Sequence, residues 1–504
     1  MLANSPGRLI VAEDGSQRYF GSSSNIAMLH DWSSSMFRPS IRCVLKDGNH
    51  AIQQAGLEWP DDPEQEEWLT KQYFTWHNPL SHEVIEHDYM AAKAAFNSGE
   101  ATELYSPALR NAILALGACY SQQNGAHASL KHQEPAEFFA LRARVYLDVE
   151  MDSPCLATAQ STLLLAAYEF GRGLDSRGWV YAGMNIHLLI DLGLCPDLSR
   201  GQRVAGPGYQ SDALQRSRSE LFRASFSSNM LWAMYTGRPS LLSKLAVDRG
   251  NKHILTKTDE LLWENFQRQG LDSLRDLEAQ SRAMGIPHYL YQLLRIMEAI
   301  RASPQHGMRD ADDTTPEIFI NTMSKVLDDW MTSLPKPLRV DTVEMDHDQE
   351  IATSKHASAI LLLHMQYHLA RILLYRPFLC VVVPDNIQTA SDYLEGNMAR
   401  QVCTESAADI CCLLNLYRRQ FTLRSPHIQL IPIVTTAGMI QASHSYMPSP
   451  RSGTPDTRPW RSSRPERTVQ EDVLLCIQAL AEIGQTFKAS IRGIEIITSL
   501  RRGL

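Results

Sequence analysis

Apolar positions recur at helical spacing through most of the chain, and sustained period-2 alternation is rare. Trp68, Leu69, Tyr73, Phe74 and Trp76 follow the acidic run Asp61, Asp62, Glu64, Glu66, Glu67, which suits the first turn of a helix. Residues 107–118 read as a buried helix whose small side chains allow close contact, and residues 137–149 as another. Ser153 and Pro154 signal the next start. Residues 157–170 are apolar round most of the helix, as in a central core helix, and Gly171-Arg172-Gly173 stops it. Ser176 is the expected N-cap of the following helix, which sets Trp179, Ala182, Gly183, Ile186, Leu189 and Ile190 on one face. Gly183 in mid-helix costs roughly 1 kcal/mol relative to Ala, so a close crossing with a neighbour is expected there. Gly193 reads as the C-terminal cap, with Pro196 beyond it. Residues 219–235 form a long apolar helix ended by Gly237-Arg238-Pro239, with Arg238 expected near its carbonyl end.

The rest continues in the same grammar. Residues 261–300 read as helical with a wide turn at Gly285-Ile286-Pro287, and 351–375 as a long helix terminated by Arg376-Pro377-Phe378. Further helices are expected over 316–334, 398–421 and 428–443, and a last helix or pair over 469–500. The fold class is therefore all-α, a large multi-helix array. Its expected organisation is a partly ordered N-terminal arm over 1–58, with a short extended piece at Arg18-Tyr19-Phe20, and a helical core over 59–301. A linker at 302–315, a C-terminal helical part at 316–445, a disordered Pro/Ser/Arg-rich insert at 446–468 and terminal helices at 469–504 follow.

Composition narrows the class of function. With 504 residues and 44% apolar side chains, the chain can fill a sizeable core. Its formal net charge of −8 is not that of a free-standing DNA reader, which neutralises phosphates with a basic surface. The nine cysteines contain no C-x-x-C pair and read as reduced, mostly buried thiols of an intracellular protein. His364, Gln366, His368, Arg371 and Arg376 interrupt the strongest apolar run and argue against a membrane helix.

No motif argues for catalysis. His364 and His368 share a helical face, but Met365 stands where a metalloprotease places its glutamate. Gly171, Gly173 and Gly178 lack dinucleotide-loop spacing, and there is no phosphate loop or nucleophile elbow. Asp175, His187 and Asp191 have no evident catalytic partner, and Asp191 reads as a capping or arginine-paired residue. The arginine-bearing segment 451–467 reads as a solvated loop, with nuclear import or nucleic-acid contact as the alternative.

The order of short signatures carries a resemblance. Gly173, Gly178-Trp179, Tyr181, Gly183 and Asp191-Leu192-Gly193-Leu194 come first; Arg216, Arg218, Leu221-Phe222 and Gly237-Arg238-Pro239 follow, and Arg376-Pro377-Phe378 lies downstream. This resembles the fungal-specific transcription factor regulatory domain, the middle homology region found with six-cysteine binuclear zinc clusters, of xylanolytic-activator-like type. Trp76-His77-Asn78-Pro79-Leu80 and residues 147–154 resemble the nitrogen-assimilation type within it. Arg223 and Asn229 depart from the tryptophan and aspartate usual at those places.

The resemblance implies an all-α fold, a nuclear location and control of transcription by RNA polymerase II, without enzymatic activity. It implies homo- or heterodimers, contact with the transcription machinery and a possible small-molecule effector, with no membrane partner. The family's zinc cluster has no counterpart before Arg18, so this chain is expected to hold no cofactor. Zinc and DNA would be engaged only through a missing zinc-cluster domain, lost with a first exon, or through a partner. Alternative readings are a scaffold that heterodimerises with full-length relatives and a small-molecule-sensing or catalytic helical domain.

Overall fold

A computed structural model of the protein describes residues 8–11, 17–20, 41–60, 62–100, 102–121, 134–195, 212–240, 242, 274–302, 316–335, 338–340, 357–380, 390–444 and 468–503. The expected linker at 302–315 lies almost wholly outside these residues, as do all but Asp212 of an expected loop at 201–212 and nearly all of the insert at 446–468. The fold is all-α, with one antiparallel hairpin among the described residues: β1 (Arg8–Val11) pairs with β2 (Gln17–Phe20), Ile10 opposite Arg18. The chain divides into two compact units, Met1–Ser281 and Arg282–Leu504.

The first unit carries helices α1 (Ile41–Gln54), α2 (Pro63–Trp76), α3 (Asn78–Ser81), α4 (Glu86–Ser98), α5 (Pro107–Cys119), α6 (Pro135–Glu150), α7 (Leu156–Gly171), α8 (Asp175–Asp191) and α9 (Asp212–Thr236). Capping explains several starts. Asp62 and Ser106 accept the backbone N–H of Gln65 and Leu109, each ahead of a proline at the first helical position. Every residue of α7 is buried, as expected for a helix apolar round most of its circumference. Its hydroxyls turn back on the helix: Ser161 and Thr162 donate to the carbonyls of Thr158 and Ala159, both at 2.7 Å.

The start of α8 differs from the expected one. The helix begins at Asp175, and Ser176 lies inside it rather than capping it. Leu174 serves both helices: its N–H closes the end of α7 on Glu169 O (2.9 Å), and its carbonyl accepts Gly178 N (3.0 Å). The connection is thus too short to need a side-chain cap.

The second unit contains most of α10 (Leu274–Arg301), then α11 (Pro316–Ser333), α12 (Ala357–Tyr375), a 3-10 turn (Arg376–Cys380), α13 (Ala390–Phe421), α14 (Leu430–His444), α15 (Val469–Ile483) and α16 (Ser490–Gly503). The expected turn at Gly285-Ile286-Pro287 is absent: α10 runs through Pro287. Ile286, Leu290, Leu293, Leu294, Met297 and Ile300 repeat at helical spacing and are all buried. Their burial, roughly 1.5–3 kcal/mol each, outweighs the ~3 kcal/mol local cost of an interior proline. The 3-10 turn at Arg376-Pro377-Phe378 does end α12 as read from the sequence.

Within this unit α12 packs against α11, α13 and α14. It is long and apolar enough to cross a membrane by composition, yet 78% of its most apolar window is buried inside the protein. His364 Nε2 donates to Leu338 O (2.8 Å), and His368 Nδ1 lies 3.6 Å from Asp409 Oδ2, so both histidines have partners within the fold.

Candidate functional site

The signatures of the first unit converge on α8, held between α7 and α9. Gly178 supplies the close approach. A Cβ there would stand 2.8 Å from the Phe170 ring, which itself stacks on Trp232 with centroids 4.0 Å apart. Gly183, where the sequence predicts a crossing, has nothing within 4 Å of a would-be Cβ. The buried residues of α8 are Gly178, Ala182, Asn185, Ile186, Leu188 and Leu189, while Trp179 is only half-buried. Asn185 is the polar member, donating to Ala159 O of α7 at 2.8 Å.

Trp179 has a different task. The Arg238 guanidinium lies 5.5 Å from its ring centroid, and Arg238 also donates to Asp175 O (3.4 Å). Arg238 therefore joins the end of α9, where the sequence places it, to the start of α8. Gly237, at φ +68°, makes this possible: it turns the chain so that Arg238 N reaches Ala233 O (3.0 Å). Pro239 follows in exposed coil.

At the other end of α8, Gly193 at φ +63° closes the helix, with Leu194 N on Leu189 O (2.8 Å) and Gly193 N on Ile190 O (3.0 Å). Arg218 of α9 donates to Leu192 O (2.8 Å). Asp191 pairs with Arg18 of β2 (3.2 Å). Burial raises the Asp191 pKa, and the Arg18 charge opposes that shift. One antiparallel helix, α9, thus grips both ends of α8 with arginines twenty residues apart in sequence.

Below this surface lies a charged core that the sequence reading does not contain. Glu169 of α7 is fully buried and pairs with Arg144 of α6, with Arg177 of α8 at 4.0 Å. A second cluster centres on the stretch Trp76-His77-Asn78. His77 Nε2 lies 3.1 Å from Glu83 Oε2, and its Nδ1 lies 3.2 Å from Tyr120 Oη. Ser228 of α9 donates to Glu83 Oε1 (3.2 Å), and Gln160 of α7 donates to the Glu83 carbonyl (3.0 Å). Asn78 closes the 77–84 turn, donating to Val84 O (2.8 Å) and accepting Val84 N (3.1 Å). His77 and Glu83 are 2% and 3% exposed, so this polar network ties four chain segments together out of contact with solvent.

The two departures from the family pattern are accommodated differently. Arg223 is half-buried and pairs with Glu220 one turn back, which answers the cost of a guanidinium in an apolar helix. Asn229 is buried and accepts the Ser240 hydroxyl at 2.8 Å, which fastens the chain just after Pro239.

The sequence-predicted residues Gly178, Trp179, Asp191, Gly193, Gly237 and Arg238 are thus brought to one helix and its two ends. Arg376, Pro377 and Phe378 belong to the other unit and end a helix there. Among the described residues, no group of three or more His, Cys, Asp or Glu is placed to hold a metal ion.

Residues 70–366 match the family model described as fungal specific transcription factor domain. The chain is 25% identical over 511 residues to the nitrogen assimilation transcription factor nit-4 of Neurospora crassa, covering 99% of this chain and 42% of that protein. It is 25% identical over 510 residues to the nitrogen assimilation transcription factor nirA of Emericella nidulans, covering 98% and 51%. A Schizosaccharomyces pombe protein described as an uncharacterized transcriptional regulatory protein is 26% identical over 300 residues, covering 58% and 45%. The chain therefore spans about half the length of these curated relatives. The match covers more than half of the sequence, and the chain belongs to the fungal specific transcription factor domain family.

Proposed function

We propose that this chain is the regulatory region of a nuclear factor that controls transcription by RNA polymerase II. The observation that carries the reading is the family match across residues 70–366, reinforced by relatives whose names place them in nitrogen assimilation control. The role is regulatory and non-catalytic. DNA is reached through a zinc-cluster segment outside these 504 residues or through a partner, as the net charge of −8 favours. The array works by helix placement: whatever shifts α8 between its two arginine grips changes the surface offered to the transcription machinery.

The test is to fuse the chain to a heterologous DNA-binding module in a fungal host and read a reporter. Nuclear accumulation with a change in reporter output, in either direction, is the expected result. A cytoplasmic fusion, or a nuclear one without effect on the reporter across nitrogen sources, would overturn it. Binding of DNA by the unfused chain should be weak and erased by salt. Tight, sequence-selective, salt-persistent binding would overturn the assignment of DNA reading to another segment.

A further inference from the structure

Two four-residue strands do not make a stable hairpin on their own, so β1 and β2 need support from the core. β2 packs against α8, and Arg18 is a described polar link in that packing. It is only 8% exposed, and its guanidinium makes two contacts in one fork: Nε lies 3.2 Å from Asp191 Oδ2, and Nη2 donates to Pro154 O at 2.7 Å. Pro154 stands just before α7, and Asp191 is the last residue of α8. One side chain of the hairpin therefore spans the start of one core helix and the end of the next.

The acceptor pair is incomplete without it. An aspartate at a helix C-terminus has the wrong sign for the helix dipole. Asp191 also loses solvation there, and Arg18 is the cation that compensates. The helix has other attachments besides this contact. α8 is already fixed by Gly178 against Phe170, by Asn185 on Ala159 O, by Arg218 on Leu192 O and by Arg238 at its start.

We propose that the β1–β2 hairpin is a displaceable strap, and that Asp191 with the Pro154 carbonyl is an acceptor site for an arginine carried on an extended segment, occupied here by the chain's own Arg18. The inference stands on these contacts alone and is independent of how DNA is reached. Lifting the strap uncovers the acceptor pair while leaving the α7–α8–α9 packing in place.

Hydrogen exchange on the whole chain tests it, comparing the native protein with Arg18→Gln and Asp191→Asn. Exchange over residues 17–20 should rise about tenfold or more in both variants, with α7 and α8 protected as in the native chain. A fluorescently labelled free peptide of residues 8–20 should bind the Arg18→Gln chain, and the same peptide carrying Gln in place of the arginine should not. Unchanged hairpin exchange in the variants would show that the arginine does not hold it. Loosening of α7 and α8 together with the hairpin would make it a part of the core, and either result overturns the proposal. So would equal binding of the two peptides.

Discussion

The guanidinium of Arg238 lies over the ring of Trp179, 5.5 Å from its centroid, although the two residues belong to different signatures 59 positions apart in sequence. Truncating either residue to Ala should cost about 1–2 kcal/mol, and the double variant should cost less than the sum by about 0.5–1 kcal/mol. A double-mutant cycle by urea denaturation checks this. Additive losses would mean that each residue packs independently of the other.

Two glycines on α8 should respond in opposite directions. Gly178→Ala drives a methyl group into the Phe170 ring, 2.8 Å away, and should destabilise by roughly 1–3 kcal/mol. Gly183→Ala meets nothing within 4 Å and should stabilise by up to about 1 kcal/mol through helix propensity. Thermal melts of the two variants side by side decide it, and a shared sign would refute the placement of α8.

Glu150 gives the first unit a pH dependence. This carboxyl is 1% exposed, ends α6, and accepts Ala108 N (2.9 Å) and the Thr158 hydroxyl (3.1 Å). Burial pushes its pKa up to about 7 from 4.5, against the hydrogen bonds that favour the anion. The folded chain therefore holds this proton more tightly than the unfolded chain. Its stabilising share is complete below pH ~4.5, falls as the pH rises through about 7, and is level above that. The full swing is on the order of 3 kcal/mol. Glu150→Gln should flatten that slope in denaturation curves taken from pH 5 to 8.

The His77–Glu83 pair should be intolerant of losing one member. Glu83→Ala leaves His77 and Ser228 without their shared acceptor in a buried site, an expected loss of roughly 3–5 kcal/mol. Ser228→Ala, which removes one neutral donor, should cost about 1 kcal/mol. Similar losses for the two, measured by chemical denaturation, would mean that the network is not centred on Glu83.

What the sequence could show depended on range. The central helix α7 was legible because it is apolar round most of its circumference, and Gly193 and Gly237 were legible because chain ends of helices need a left-handed turn locally. Gly178 and Gly183 look alike in sequence, and only the position of Phe170 separates a close crossing from open space. Pro287 carried a correct local warning that tertiary burial overrode. Ser176 failed as a cap because Leu174 closes one helix and opens the next. Glu83 and Ser228, 145 residues apart, leave no local trace of their contact. Arg18 and Asp191 were each singled out, but no pattern along the chain pairs a strand with the far end of a helix.

The three-residue connection from α7 to α8, Arg172 to Leu174, also fixes how this family can drift in length. One inserted residue there would rotate α8 by about 100° about its axis. Gly178 would swing away from Phe170 and Trp179 from Arg238, and Asp191 would leave the reach of Arg18. Homologous chains are therefore expected to keep this spacing without insertion or deletion, and to place their length changes elsewhere.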